Sequence, residues 1–298
     1  MDEQLLKVEG LCQYFGKHKA VEDVSFTIHK GEIFGLVGES GSGKTTTGRT
    51  IMGLCRPTAG KVWFQGQLLR DRDSPRQFPS GMQMIFQDPL ASLDPRMPVG
   101  TSIAEGLVIR GMKDRQQIRT KVAQMLTLVG LRPEHADRYP HEFSGGQRQR
   151  IGIARAMILE PSLLIADEPV SALDVSVQAQ VVNLLGSLRQ RMGLSILFIA
   201  HDLSLVKYFC DRVAVMHHGR ILELASSKAL FSHPIHPYTQ SLLSAIPIPD
   251  PEREQQRQRL HFTPLPPARR KMRPFSADHF VFCSEQEEKE WKSGKKSR

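Results

Sequence analysis

"EIFGLVGESGSGKTTTGRTIMGL", residues 32–54, carries the plainest structural signal in the chain. It opens on "EIFGLV" (32–37), which reads as a strand. Gly38 to Thr45 then fit G-x-x-x-x-G-K-[ST], and a stretch that reads as a helix over residues 45–55 follows. A bare glycine turn would need neither the strand before it nor the helix after it. Glycines let successive backbone N–H groups turn inward around phosphate oxygens, and the helix N-terminus adds its positive dipole. The expected cradle is Gly38, Glu39, Ser40, Gly41, Ser42, Gly43, Lys44, Thr45 and Thr46. Lys44 is the residue to reach the β- and γ-phosphates, and Thr45 the one to offer a hydroxyl to Mg²⁺.

Working outward, residues 5–35 and the segment "KVWFQGQLLR" (61–70) have the spacing of strands and hairpins. Between about 88 and 160 the pattern becomes helical, with Ile118, Val122, Met125, Leu126 and Val129 on one face. This stretch reads as a helical insert. "SLLIAD" (162–167) and "SILFIAH" (195–201) are short apolar strands, and between them Val177, Val181, Leu184 and Leu188 share a helical face. Strand, helix and strand, with both strands apolar on each face, predict a parallel sheet covered by helices. "VAVMHHGRILELA" (213–225) predicts a hairpin turning at "HHG", and residues 231–298 read as a proline-rich, extended appendage.

A triphosphate carrying Mg²⁺ needs a carboxylate for the metal and a base for water. Asp167 ends an apolar strand, where a parallel sheet delivers its ligands. Glu168 beside it is suited to take the proton of an attacking water. An acidic helix cap is the competing reading of the pair, since Pro169 follows. Gln87 in "MIFQDP" and His201 in "FIAHDLS" also sit just past apolar strands. The amide suits Mg²⁺ and water, and the imidazole suits the γ-phosphate, although a lone histidine there is equally at home as a structural residue.

A second anion-ready loop lies about a hundred residues downstream, in "FSGGQRQRIGIARA" (143–156). Taken alone it is as well explained by a glycine helix cap. The order of phosphate loop, strand-end glutamine, "SGGQ", "LLIADE", "SALD" and strand-end histidine resembles the ATP-binding cassette family over residues 5–230. That resemblance implies an α/β P-loop NTPase (RecA-like) domain with an N-terminal antiparallel β-subdomain and an inserted α-helical subdomain. It also implies why there are two cradles. Two cassettes pack head to tail, so Ser144, Gly145, Gly146 and Gln147 would serve an ATP held mainly by the partner. Phe15 in "QYFG" matches the adenine-stacking position, with Tyr14 as the fallback. Asp174 in "SALD" matches the loop that crosses the dimer interface, and it would equally serve as a helix N-cap. Phe143 stands where the family more often has leucine.

Composition sets the remaining bounds. The chain has 298 residues, 40% of them hydrophobic, and a formal net charge of +9. No apolar run approaches the length of a transmembrane helix, and "MDEQLLKVEG" lacks the pattern of a signal peptide. The expected location is therefore cytoplasmic, and the resemblance to the ATPase subunits of ABC transporters implies the cytoplasmic face of the cell membrane. The basic charge lies partly in "ARRKMR" and "KSGKKSR", and a solvated basic surface explains it better than a specific nucleic-acid partner. Cys12, Cys55, Cys210 and Cys283 have no metal or redox spacing.

"HPIHPYTQSLLSAIPIPDP" (233–251) and "FQDPLASLDPRM" (86–97) resemble the oligopeptide/dipeptide importer ATPases, a group that includes nickel and glutathione importers. Some members hold an iron–sulfur cluster in the tail. Cys283 alone cannot supply the roughly four thiolates such a cluster needs, so none is expected here. His233 and His236 are better read as part of proline-punctuated turns before a short helix, with Tyr238, Leu242 and Leu243 docking on the core. The resemblance implies two permease subunits, a second ABC ATPase (more often a different chain than a copy) and, indirectly, an extracytoplasmic binding protein. Rival readings are a soluble cassette acting on DNA or ribosomes, and a cassette that binds ATP without turnover.

Overall fold

The computed structural model describes residues 3–73, 79–88, 92–247, 259–264 and 268–293. Parts of three stretches used above therefore lie outside the described residues: the segment following Gln87, the proline-rich region after residue 247, and the terminal "KKSR".

Strands β1 (Gln4–Phe15) and β2 (His18–His29) form an antiparallel hairpin. β3 (Ile33–Val37) is buried at every position and leads through the glycine loop into α1 (Lys44–Met52). β4 (Ala59–Phe64) and β5 (Gln67–Arg70) are the second hairpin, and β4 pairs with β1 to complete a sheet of order β2-β1-β4-β5. β6 (Met82–Ile85) then enters a separate sheet. Among the described residues the predicted insert holds the α-helices α2 (Val99–Ile109), α3 (Arg115–Leu128) and α4 (Gly145–Met157). Asp114 caps α3 by accepting from the amides of Gln116 and Gln117, which satisfies two of the donors a helix start leaves free.

β7 (Leu163–Asp167), α5 (Val175–Met192), β8 (Ser195–Ala200) and α6 (Leu203–Phe209) follow. Val181, Leu185 and Leu188 form the buried row of α5, with Val177 and Leu184 half-buried at its margin. β9 (Arg212–His217) and β10 (Arg220–Ser226) make the predicted "HHG" hairpin. The large sheet has the order β11-β12-β10-β9-β3-β8-β7-β6, and β9, β3, β8, β7 and β6 are mutually parallel.

Alternation along the central strands splits the core in two. Ile33 and Val37, Leu164 and Ala166, and Ile196 and Phe198 face the helices. Phe34 and Leu36, Leu163 and Ile165, and Leu197 and Ile199 face the antiparallel sheet, where they meet Leu6, Val8, Phe26 and Ile28. Near-continuous apolar strands are what a sheet covered on both faces requires.

The tail differs from the extended appendage that its prolines suggested. α7 (Ser227–Ser232) and α8 (Pro237–Ser244) come first, and Tyr238, Leu242 and Leu243 pack on the core. β11 (Lys271–Ser276) and β12 (His279–Cys283) then form a hairpin that lengthens the main sheet along β10, and α9 (Glu285–Lys292) follows. The physical reason is visible in "HFVFC". His279, Val281 and Cys283 are buried while Phe280 and Phe282 are half-buried, which is the period-2 pattern of a strand.

Candidate nucleotide-binding and hydrolysis site

Because β3, β6, β7 and β8 run parallel, their C-terminal ends lie along one edge of the sheet. The phosphate loop, Gln87, the Asp167–Glu168 pair and His201 each follow one of those ends. Edges of this kind, outside the carboxyl ends of parallel strands, are where open α/β sheets bind their ligands.

In the loop, Gly38, Gly41 and Gly43 have φ of 149°, 79° and 103°, values that exact a steric cost from any residue with a Cβ. Gly38 and Gly43 are also closed in from outside, because a Cβ there would overlap the carbonyl oxygens of Met216 and Ala20 respectively. Lys44 is buried and its Nζ donates to the carbonyls of Gly38 (2.8 Å) and Glu39 (2.9 Å). Burial lowers its pKa, and the carboxylates of Glu168, Asp167 and Glu39 oppose that shift. Ser42 accepts through its carbonyl from the Gly219 amide at 2.9 Å, and its buried hydroxyl has no hydrogen-bond partner.

Asp167 is fully buried, and its Oδ1 accepts from the Thr45 hydroxyl at 2.8 Å. Burial raises its pKa, against the Thr45 hydrogen bond. Its Oδ2 is buried without a partner. A free carboxylate oxygen beside a threonine hydroxyl, at the mouth of a phosphate loop, fits Mg²⁺, a hard cation usually held by one or two carboxylates together with substrate phosphates.

Glu168 stands in the left-handed region at φ 47°, a conformation costly for a residue with a Cβ. Its amide is held by the Ile199 carbonyl at 3.0 Å. Oε2 receives the Gln87 side-chain amide at 3.0 Å and lies 3.4 Å from His201 Nδ1. Two residues from the neighbouring strand ends, Gln87 after β6 and His201 after β8, thus converge on one carboxylate. Pro169 does not make this pair a simple helix cap, since the nearest helix, α5, begins at Val175.

Phe15 ends β1 and is half exposed. It pairs with His18, in the strand whose Ala20 carbonyl packs on Gly43. Tyr14 is engaged elsewhere: its amide donates to Thr58, and the Lys19 ammonium lies 5.7 Å from its ring centroid.

Ser144 caps α4 in a capping box, accepting from the Gln147 amide at 3.3 Å while the Gln147 side chain accepts from the Ser144 amide at 3.0 Å. These hydrogen bonds close within the motif at the start of α4. Gly146 is required by packing, because a Cβ there would overlap Val177 Cγ1. Asp174 caps α5, accepting from the Val177 amide (3.0 Å) and the Ser176 hydroxyl (2.7 Å), and neighbouring Val175 is exposed.

One contact was not legible in advance. The Glu39 amide donates to the hydroxyl of Tyr238, 199 positions away in the tail. Among the described residues no group of three or more histidine, cysteine or acidic side chains is arranged to hold a metal, and no helix is long and apolar enough to cross a membrane.

A strand, glycine loop and helix, with a buried aspartate and a half-buried glutamate at the same edge of a parallel sheet, define a P-loop nucleoside-triphosphate hydrolase. Comparison with known proteins narrows this. Residues 21–171 match the ABC transporter family, and residues 222–272 match the oligopeptide/dipeptide transporter C-terminal region. The chain is 53% identical to the oligopeptide transport ATP-binding protein OppF of Bacillus subtilis (strain 168), covering 96% of this chain and 98% of that one. It is 52% identical to the dipeptide transport ATP-binding protein DppF of Lactococcus lactis subsp. cremoris, over 93% and 91% of the two chains. Among solved structures, cbiO1 from Clostridium perfringens, part of the ABC transporter complex cbiONQ, superposes with a TM-score of 0.70 at 28% identity, covering 78% of this chain and 92% of that one. The ATP-binding cassette MJ0796, a dimer bound to ADP and Pi, gives 0.66 at 25% identity over 75% and 99%. The chain belongs to the ABC transporter ATP-binding proteins, in their oligopeptide/dipeptide group, and is an ABC-type ATPase.

Proposed function

We propose that this chain is the ATP-hydrolysing subunit of a peptide importer, working on the cytoplasmic face of the membrane with two permease chains and a second cassette. The observation that carries the hydrolytic reading is the meeting of Gln87 and His201 on the Glu168 carboxylate, beside the Thr45–Asp167 pair. The peptide reading is supported by the tail match and by the names of the relatives.

In this reading ATP lies in the glycine loop with its adenine against Phe15. The phosphates take the loop amides, and Lys44 moves from the Gly38 and Glu39 carbonyls to phosphate oxygens. A magnesium ion, held by Thr45 and Asp167 with Gln87 as a further oxygen ligand, would supply charge neutralisation on those oxygens. Glu168 takes a proton from water as the new O–P bond forms and the bond to ADP breaks. His201 hydrogen-bonds the γ-phosphate, and Gln87 orients the water. Ser144, Gly145, Gly146 and Gln147 close on the nucleotide of the opposing cassette, with Asp174 at that interface, and the dimeric relative supports such an arrangement.

The test is affinity capture of this chain from detergent-solubilised native membranes with mass spectrometry, then ATP-driven uptake of a labelled tripeptide by the captured complex in vesicles. Two polytopic permeases, a second "SGGQ" chain and peptide uptake are expected. Nickel or glutathione uptake without peptide uptake would overturn the cargo, and recovery of only ribosomal or DNA-bound material would overturn the transporter.

A further inference from the structure

Around the Tyr238 hydroxyl the tail and the phosphate loop meet. β10 carries a fully buried carboxylate, Glu223, which accepts from the amides of Ile235 (2.8 Å) and His236 (3.0 Å) and lies 2.7 Å from His279 Nε2. One side chain therefore fastens both the start of α8 and the β12 strand to the sheet. His236 then caps α8, its Nδ1 accepting from the Tyr238 amide at 3.1 Å, and Pro237 occupies the first helical position, where its missing donor costs nothing.

This aims the Tyr238 ring along the end of β9. His217 packs on it at 4.1 Å between centroids, and Phe262 meets it edge-on at 5.3 Å. β9 pairs with β3, the strand that enters the loop. The ring is 2% exposed, and its oxygen accepts from the Glu39 amide at 3.4 Å. Burial pushes the phenol up to about 12, so the hydroxyl stays neutral.

Glu39 is thereby held at both ends of its backbone, its amide by Tyr238 and its carbonyl by Lys44 and the Ser42 amide. Lys44 must let go of that carbonyl to reach a phosphate, whereas Tyr238 has no reason to move. We propose that Tyr238 is a positioning residue for the phosphate loop: its hydroxyl keeps the Glu39 peptide oriented while Lys44 transfers to nucleotide, so that docking of the tail sets the affinity for ATP. The inference rests on the phosphate-loop reading above. It assigns the tail a role in the ATPase cycle itself, through one hydrogen bond between parts of the chain 199 positions apart.

Tyr238→Phe removes only the hydroxyl and leaves the ring against His217 and Phe262. One net hydrogen bond corresponds to about a three- to tenfold change in an equilibrium constant. The full chain is titrated with a fluorescent N-methylanthraniloyl ATP, and the assembled complex is assayed for ATPase. The variant should weaken Kd and raise KM by that factor, with kcat unchanged and the melting temperature lowered by no more than the few degrees that one hydrogen bond contributes. Amide exchange should quicken at residues 38–43 and stay the same at 238–244. Equal Kd values would overturn the clamp while leaving the nucleotide site intact. A fall in kcat alone, or faster exchange throughout α8, would also overturn it, since either marks a structural effect. Failure of the wild-type chain to bind the nucleotide would instead refute the phosphate-loop reading, and the clamp with it.

Discussion

Replacing Glu168 by glutamine separates binding from chemistry. The carboxylate makes two polar contacts, both through Oε2, with Gln87 at 3.0 Å and His201 at 3.4 Å. An amide of the same shape keeps an oxygen for Gln87 to donate to. The backbone strain at φ 47° is common to both residues. Folding stability and ATP affinity should therefore change little, by about 0.5 kcal/mol or less. What disappears is the base. General-base catalysis contributes roughly 10²–10⁴ in rate, equivalent to about 2.7–5.4 kcal/mol of barrier. The assay is single-turnover hydrolysis of γ-labelled ATP by the assembled complex, run beside nucleotide binding. The expected result is normal binding with turnover reduced at least a hundredfold. Turnover within a few-fold of wild type would refute the assignment of the base. A collapse of ATP affinity would refute the claim that the shape is preserved.

Other outcomes follow from the same geometry. Glu168→Gly should lose turnover yet melt at or above the wild-type temperature, because a non-glycine residue in the left-handed region costs about 1–2 kcal/mol, partly offset by glycine's extra unfolded-state entropy. Gly146→Ala drives a methyl into Val177, whose β-branched side chain is stiff, at about 1–3 kcal/mol; ATPase activity of the assembled pair should fall while the isolated chain binds ATP as before. Glu223→Ala leaves the amides of Ile235 and His236 and the His279 ring without their acceptor; a cost of about 3–5 kcal/mol is expected, read as a lower melting temperature and proteolysis of the tail. Burial pushes the His236 pKa down to about 3, with the Glu287 charge opposing and Arg270 and His217 assisting. Between an unfolded value of about 6.5 and that folded value the unfolded chain binds the extra proton, so stability should fall as pH drops through this window, by up to about 1.4 kcal/mol per unit. His236→Asn, which retains a capping side chain, should flatten that dependence in a pH series of melting curves.

The nucleotide site was legible because its signals are local. Gly38 to Thr45 carry their own φ demands, and Asp167 and His201 sit at the ends of apolar strands that announce themselves. The unusual backbone of Glu168 was not legible, since nothing in "ADEP" asks for a positive φ; the carbonyl of Ile199, on the neighbouring strand, holds its amide there. Prolines misdirected the reading of the tail. Pro274 argues against a strand, but β11 is the outermost strand of its sheet, where a missing donor is tolerated. The alternation of "HFVFC" was available and pointed the right way. The Tyr238–Glu39 contact could not have been read from sequence, because it depends on Glu223 fastening α8 across the sheet. Asp174 is seen as the cap of α5, which leaves it on the exposed surface beside Val175, so the cap does not compete with the interface role proposed for it.

The order of strands across the large sheet bears on the birth of the molecule. β10 pairs with β9 on one side and with β12 on the other. During synthesis β10 is complete when Ser226 has emerged, but its second partner arrives only with residues 279–283. At about 5–20 residues per second its outer side stays bare for several seconds. A bare, apolar strand is a template for pairing with another nascent chain, and a charge within it is a common safeguard. Glu223 lies in the middle of β10. The side chain that later fastens the tail thus also puts a charge at the centre of the strand, with Arg220 at its start, during the interval in which its outer side is bare.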